Sequence, residues 1–259
     1  MSKQQPRRPV AANTRPPPPP AVEIPAAVPA ADLTVTRGIT IHEPWAWLIV
    51  SDFTTSGRCV KPVENRTWPT TQRGPVAVHA SSSWATVLDA ELLQDVCDLH
   101  PAIADRMLSH AHLKGSAPED RSGFNLIYHV GCIVGVVDII DCLAFDPGLE
   151  NFRDVCVAAG YGPWYDAHDI PPAEFASGPF CFILANPRQF TQPIPCKGAL
   201  NFWYLKQPGI AAAVAAAIKK PLGEPWQYRN ALHAAGKPAA MPNAGSFAKP
   251  RKPVAAAAK

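Results

Sequence analysis

The stretch from Lys61 to Ser81, KPVENRTWPTTQRGPVAVHAS, holds Lys61, Glu64, Arg66, Trp68, Arg73 and His79, and Trp45 precedes it in EPWAW. A plain core strand has no use for Lys, Glu and two Arg so close together, because an unpaired buried charge is costly. A site that grips an anion or moves a proton does. A lysine beside a carboxylate can hold or relay a proton, Glu64 can act as acid or base, and Arg66 can fork onto a phosphate or carboxylate. Trp45 and Trp68 flank these charges and can stack unpaired bases, or can simply be core residues. Arg73, in the turn Arg73-Gly74-Pro75, either meets a phosphate or is a solvated turn charge. His79 either faces a ligand as donor or proton carrier, or is a satisfied core histidine.

Spacing limits how these residues meet. In a regular strand Glu64 and Arg66 share one face and Lys61 points to the other. A bulge at Pro62 is needed to bring all three together. The alternative is a structural Glu64–Arg66 pair with Lys61 in solvent. Asp138 and Asp141, in an apolar run, also need partners, such as Arg66 or Lys61.

The elements that would position this site follow from periodicity. Val35–Ile41 alternates around β-branched residues and reads as a strand. Pro44 suits the first turn of a short helix with Trp45, Leu48 and Ile49 on one face. Val60–Thr67 and Val76–Ala80 read as the next strands. Ser81, Ser82 and Ser83 are placed to cap a helix over 84–99, with a second helix over 102–112 and a polar loop over 114–125. Ile127–Cys142 reads as a buried central strand. Residues 143–178 carry many Pro and Gly and read as a long irregular insertion. Phe180–Ala185, Gln189–Ile194 and Leu200–Leu205 read as closing strands, and Ile210–Lys220 as an Ala-rich helix. This pattern implies an α+β fold, a small barrel with inserted helices.

The 30 prolines are unevenly placed, with 9 of them in residues 1–33. Residues 1–33 are Pro/Ala-rich and residues 233–259 are Ala, Pro and Lys, too poor in large apolar groups to offset the entropy of ordering. Both are expected to be disordered tails around a domain over 34–207 and a helical extension over 208–232. The net charge of +3 is uneven: +2 in residues 1–33 and +5 in residues 233–259, which leaves −4 between them. Basic tails of this kind can add salt-sensitive, non-specific nucleic-acid contacts. The seven cysteines show no C-x-x-C pair and no zinc spacing, so neither a metal nor a cofactor is expected. They suggest a reducing, cytoplasmic setting. No apolar run is long enough to span a bilayer.

The runs EPWAWLIV, then K-x-x-E-N-R-T-W, then RGPVAVHAS resemble the ASCH domain family, which has a PUA-like β-barrel. Residues 131–142 (GCIVGVVDIIDC) and 178–204 (GPFCFILANPRQFTQPIPCKGALNFWY) are similar to its central and closing strands, so the resemblance covers most of 37–205 in order. It implies an RNA- or nucleotide-binding cleft lined by Lys61, Glu64 and Arg66. Some small relatives deacetylate N4-acetylcytidine nucleosides with a Lys, a Thr three residues later and a separate Glu. Here the Thr position holds Glu64. Other relatives are described as ribonucleases on single-stranded RNA. The extra Cys59 and Val60 before Lys61 also depart from the family spacing.

Three functions are therefore expected in competition. The first is a module binding RNA or a nucleotide through Lys61, Glu64, Arg66, Trp45, Trp68, Arg73 and His79. The second is a hydrolase on modified nucleosides or RNA that uses Lys61 and Glu64. The third is an interaction scaffold that uses the Pro-rich tail.

Overall fold

The computed structural model describes residues 19–51, 58–84, 92 and 130–220. Its centre is a mixed six-stranded sheet. In chain order the elements are β1 (Arg37–Glu43), helix α1 (Trp45–Val50), β2 (Val63–Arg66), β3 (Gly74–Trp84), β4 (Cys132–Ala144), helices α2 (Phe152–Ala158) and α3 (Gly162–Asp166), a 3-10 turn (Pro172–Phe175), β5 (Phe180–Pro195), β6 (Phe202–Tyr204) and helix α4 (Ile210–Lys219). The strands lie in the order β2-β5-β4-β3-β1-β6. β1 pairs parallel with β3, and every other pairing is antiparallel.

β4 is central because CIVGVVDII is apolar on both faces, and both faces are covered. On the inner face Val76, Val78, Val137, Ile139, Phe182 and Leu184 pack with Ala46, Ile49 and Val50 of α1. On the outer face Ala77, Ile133, Val136, Phe190 and Trp203 pack with Leu33, Val35 and with Val214 and Ile218 of α4. The Trp203 ring packs against Gly38, where an added Cβ would come within 2.8 Å of it.

The expected closed barrel is not formed: the hydrogen-bonded sheet keeps two edges, β2 and β6. Both edge strands are too short to meet. β6 pairs only with residues 37–39 of β1, and β2 has four residues with a proline just before it. The sheet nevertheless curls until side chains bridge the gap. Arg66 of β2 donates to the Thr40 carbonyl of β1 at 2.8 Å. Trp68, just past β2, meets Phe182 and Phe202 edge-on at 5.3 Å each.

Other expectations also change. The anticipated strands 180–185 and 189–194 are one 16-residue strand, β5, which bends at Asn186 with φ of 53°. Ser81–Ser83 lie in β3, and the helix they were expected to cap falls outside the described residues. The stretch 143–178 is not irregular. Asn151 caps α2 through the Arg153 and Asp154 amides, and Phe145, Phe152 and Tyr165 pack ring to ring. Residues 19–33, expected within a disordered tail, run extended along the domain. The Val22 amide donates to the Gly160 carbonyl at 2.8 Å, and Asn186 and Arg188 donate to the carbonyls of Pro25 and Val28. The helices expected over 84–99 and 102–112, the loop 114–125, residues 1–18 and the tail 233–259 lie outside the described residues, apart from the helical Leu92. No helix among the described residues is long and apolar enough to cross a membrane.

Gly135 of β4 leaves no room for a side chain. A Cβ there would sit 2.4 Å from the Arg188 carbonyl oxygen and 2.9 Å from Val50 Cβ, and a backbone carbonyl cannot swing aside. Gly135→Ala is therefore expected to destabilise the domain by about 1–3 kcal/mol, read as a lower urea midpoint with an unchanged slope.

Candidate functional site

The site lies at the seam between β2 and β1. Lys61 sits in the turn before β2, not in the strand. This turn is pinned from both sides: the Lys61 amide donates to the Leu48 carbonyl of α1 at 3.2 Å, and the Leu184 amide of β5 donates to the Pro62 carbonyl at 2.9 Å. The chain therefore reverses the sense of the Lys61 side chain without the bulge that strand geometry demands. Its ammonium reaches Glu64 Oε2 at 3.0 Å, also donates to the Val63 carbonyl, and lies 5.8 Å from the Trp45 ring centroid.

Glu64 is held from its other side by Arg66, Nη2 to Oε1 at 3.0 Å. One carboxylate thus lies between two cations, and the triad carries a net single positive charge. Little of it is wet: the side chains are 5 % exposed for Lys61, 11 % for Glu64 and 19 % for Arg66. In this setting a lost partner leaves a buried charge uncompensated. The Arg66 guanidinium also lies 6.0 Å from the Trp68 ring, and its Nε–H is buried with no hydrogen-bond partner.

The structure brings five of the expected site residues together: Lys61, Glu64, Arg66, Trp45 and Trp68. Both tryptophans are half-buried and pack against the inner core as well as beside the charged triad. It does not bring Arg73 or His79 there. Glu64 lies opposite Phe182 and shares the inner face, whereas Asp141 lies opposite Ile183 on the outer face. Arg73 is exposed on that outer face, paired with Asp141, which also accepts from the Tyr161 hydroxyl at 3.1 Å. His79 also faces outward. It packs edge-on against Trp203 at 5.9 Å, under the loop 196–199, with Nε2 3.1 Å from the Cys196 carbonyl oxygen. Alternation in β3 puts it opposite in sense to Val78, which is buried in the inner core.

The two aspartates find partners other than those expected. Asp138 accepts from Asn186 at 2.9 Å and faces Arg188, and burial still pushes its carboxyl pKa up. Asp141 takes Arg73 and Tyr161, and burial beside that carboxylate pushes the Tyr161 hydroxyl up to about 12. Sequence reasoning missed the Thr40 carbonyl, Phe182 and Phe202 as parts of the seam. The aromatic run Phe202-Trp203-Tyr204 was the available signal, but which ring faces inward depends on register. Among the described residues no group of three or more His, Cys, Asp or Glu is placed to hold a metal ion.

Removing the central carboxylate charge should be costly. Glu64→Gln leaves Lys61 and Arg66 facing each other in a dry seam and is expected to destabilise by about 3–5 kcal/mol. Thermal melting checks it, at roughly 2–4 °C per kcal/mol for a domain of this size. His79 gives a pH dependence. Burial lowers its pKa from 6.5, so the unfolded chain takes up the proton first as pH falls. Stability is full above about pH 6.5 and is lost as pH drops below it toward the folded pKa. The melting temperature should therefore fall between pH 7.5 and 5.5, and His79→Gln should flatten the curve. His168, also lowered by burial, contributes a slope of the same sign.

No family model matches this chain. It is similar to activating signal cointegrator 1 of Homo sapiens and of Mus musculus, 28% identical to each over 167 residues. The match takes in 64% of this chain but only 22% of either relative, so the chain spans about a fifth of the length of these proteins. The ordered motifs around Lys61, Glu64 and Arg66 resemble the ASCH domain family, and the similarity to these relatives extends over 64% of the chain.

Proposed function

We propose that this chain carries an ASCH domain that binds RNA or a nucleotide at the β1–β2 seam, with the curled, side-chain-closed sheet standing in for the cleft of a PUA-like barrel. One observation carries this reading. The triad leaves a net positive charge and an unused, buried Arg66 Nε–H at a gap walled by Trp45 and Trp68. A buried donor with no partner is destabilising by about 1–3 kcal/mol, and a phosphate or base edge would relieve it. Aromatic faces beside cations suit unstacked bases. Glu64 is then the organiser that holds two cations in place, not a ligand contact. Arg73 and His79 leave the proposed ligand set, which becomes Arg66, Trp68, Trp45 and Lys61.

A hydrolase reading keeps one supporting observation: Lys61 and Glu64 do converge, at 3.0 Å. They converge on each other, however. Glu64 spends both oxygens on cations, and Lys61 is committed to Glu64 and the Val63 carbonyl. A general base must reach the proton it takes, and both Glu64 oxygens are turned onto cations. As the compartment we propose the cytoplasm. Cys142, Cys156, Cys181 and Cys196 are free thiols, as a reducing setting would leave them.

The test is titration of the full chain with single-stranded RNA and a nucleotide panel, with products analysed in the same samples. Arg66→Gln and Trp68→Ala should each weaken binding, the latter by about 1–3 kcal/mol if one base stacks there. Unchanged RNA affinity in both variants overturns the reading. Turnover abolished by Lys61→Ala and Glu64→Ala would establish the hydrolase instead.

A further inference from the structure

The inner face of the sheet continues past the seam along β6. Phe202 lies opposite Ile39, and Tyr204 opposite Arg37. Residues two apart in a strand share a face, so Tyr204 and Arg37 extend the line that runs from Arg66 and Trp68 through Phe202. Tyr204 is 53 % exposed at the sheet margin. It holds two cations. Arg37 donates from Nη2 to the Tyr204 hydroxyl at 3.0 Å with its guanidinium 4.9 Å from the ring centroid, and the Lys206 ammonium lies 5.1 Å from the same ring. Among the described residues neither cation has an acidic partner, since the ion pairs involve Lys61, Arg66, Arg73 and Arg153. Two uncompensated cations gathered at one exposed ring favour an anion such as a phosphate there.

We infer that a single-stranded nucleic acid seated at the seam continues along β6 and places a backbone phosphate beside Arg37 and Lys206, the two cations that Tyr204 gathers at the sheet margin. This rests on the seam being the nucleic-acid site proposed above. The step from Phe202 to Tyr204 is about 7 Å, and a stacked strand already advances about 3.4 Å per nucleotide, so a neighbouring nucleotide reaches the second subsite without looping. Cations and rings alternate along the path, Lys61 with Trp45, Arg66 with Trp68, and Arg37 and Lys206 with Tyr204. Such alternation suits a chain whose charge and π-faces also alternate.

The full chain is compared with the double variant Arg37→Gln/Lys206→Gln and with Arg66→Gln, using an RNA dodecamer and a mononucleotide as probes between about 50 and 200 mM salt. Far-UV circular dichroism and melting confirm that each variant is folded. The double variant should bind the dodecamer several-fold more weakly, with its salt slope reduced by about 0.7, the value for one phosphate on a single strand. It should bind the mononucleotide as the wild type does. Arg66→Gln should weaken both probes. If the double variant keeps the dodecamer affinity and slope while Arg66→Gln loses both probes, the β6 subsite is overturned and the seam stands. If the double variant weakens the mononucleotide equally, the subsite is not separate from the seam and the inference fails. If the wild type binds neither probe, the seam and the subsite fall together.

Discussion

Glu64 holds the open sheet in its curled form. Its carboxylate joins Lys61, fixed between α1 and β5, to Arg66, which reaches β1 through the Thr40 carbonyl. Backbone pairing alone leaves β2 and β6 as edges, so this charged bridge and the Trp68–Phe182–Phe202 ring cluster take over where the ladder stops. Without the carboxylate the two cations would repel across a gap with little water to screen them.

A seam closed by side chains differs from one closed by strand hydrogen bonds. A ladder leaves no donor to spare, whereas an Arg with five donors rarely uses them all. Here the surplus is Arg66 Nε–H, in the least buried member of the triad. A buried ion pair adds little net stability compared with apolar packing of the same volume. Its presence here makes sense as geometry: it fixes cation direction at a place where the sheet gives access to its interior.

The outer face carries the supporting parts. Leu33 and Val35 and helix α4 cover Ile133, Val136 and Trp203, while α2 and α3 pack through Phe152 and Tyr165. His79 and Arg73 belong to this support. His79 is packed under the 196–199 loop, where an added Cβ on Gly198 would come within 2.5 Å of its ring, and Arg73 ties the start of β3 to the end of β4 through Asp141. Both look like site residues in the sequence because they lie in or just before the strand that follows the motif. One strand presents two opposite faces, so nearness along the chain says nothing about which face a side chain takes.

Much of the fold was legible from local pattern. β1, α1, β4 and α4 were found within a few residues, because alternation, a proline at a helix start and a long β-branched run act over short range. The pairing of cations with rings was also legible as composition, since Lys61, Glu64, Arg66, Trp45 and Trp68 lie within one stretch of chain. Tertiary structure decided the rest. It turned Lys61 inward through backbone bonds to Leu48 and through the Pro62–Leu184 pairing, joined two expected strands into β5, and brought Phe202 to Trp68 from 134 residues away. It also left the sheet open rather than closed. Sequence determines which residue types are near each other along the chain and how each segment prefers to bend. Register, curvature and facing are set by contacts between distant segments, whose energies no local window contains.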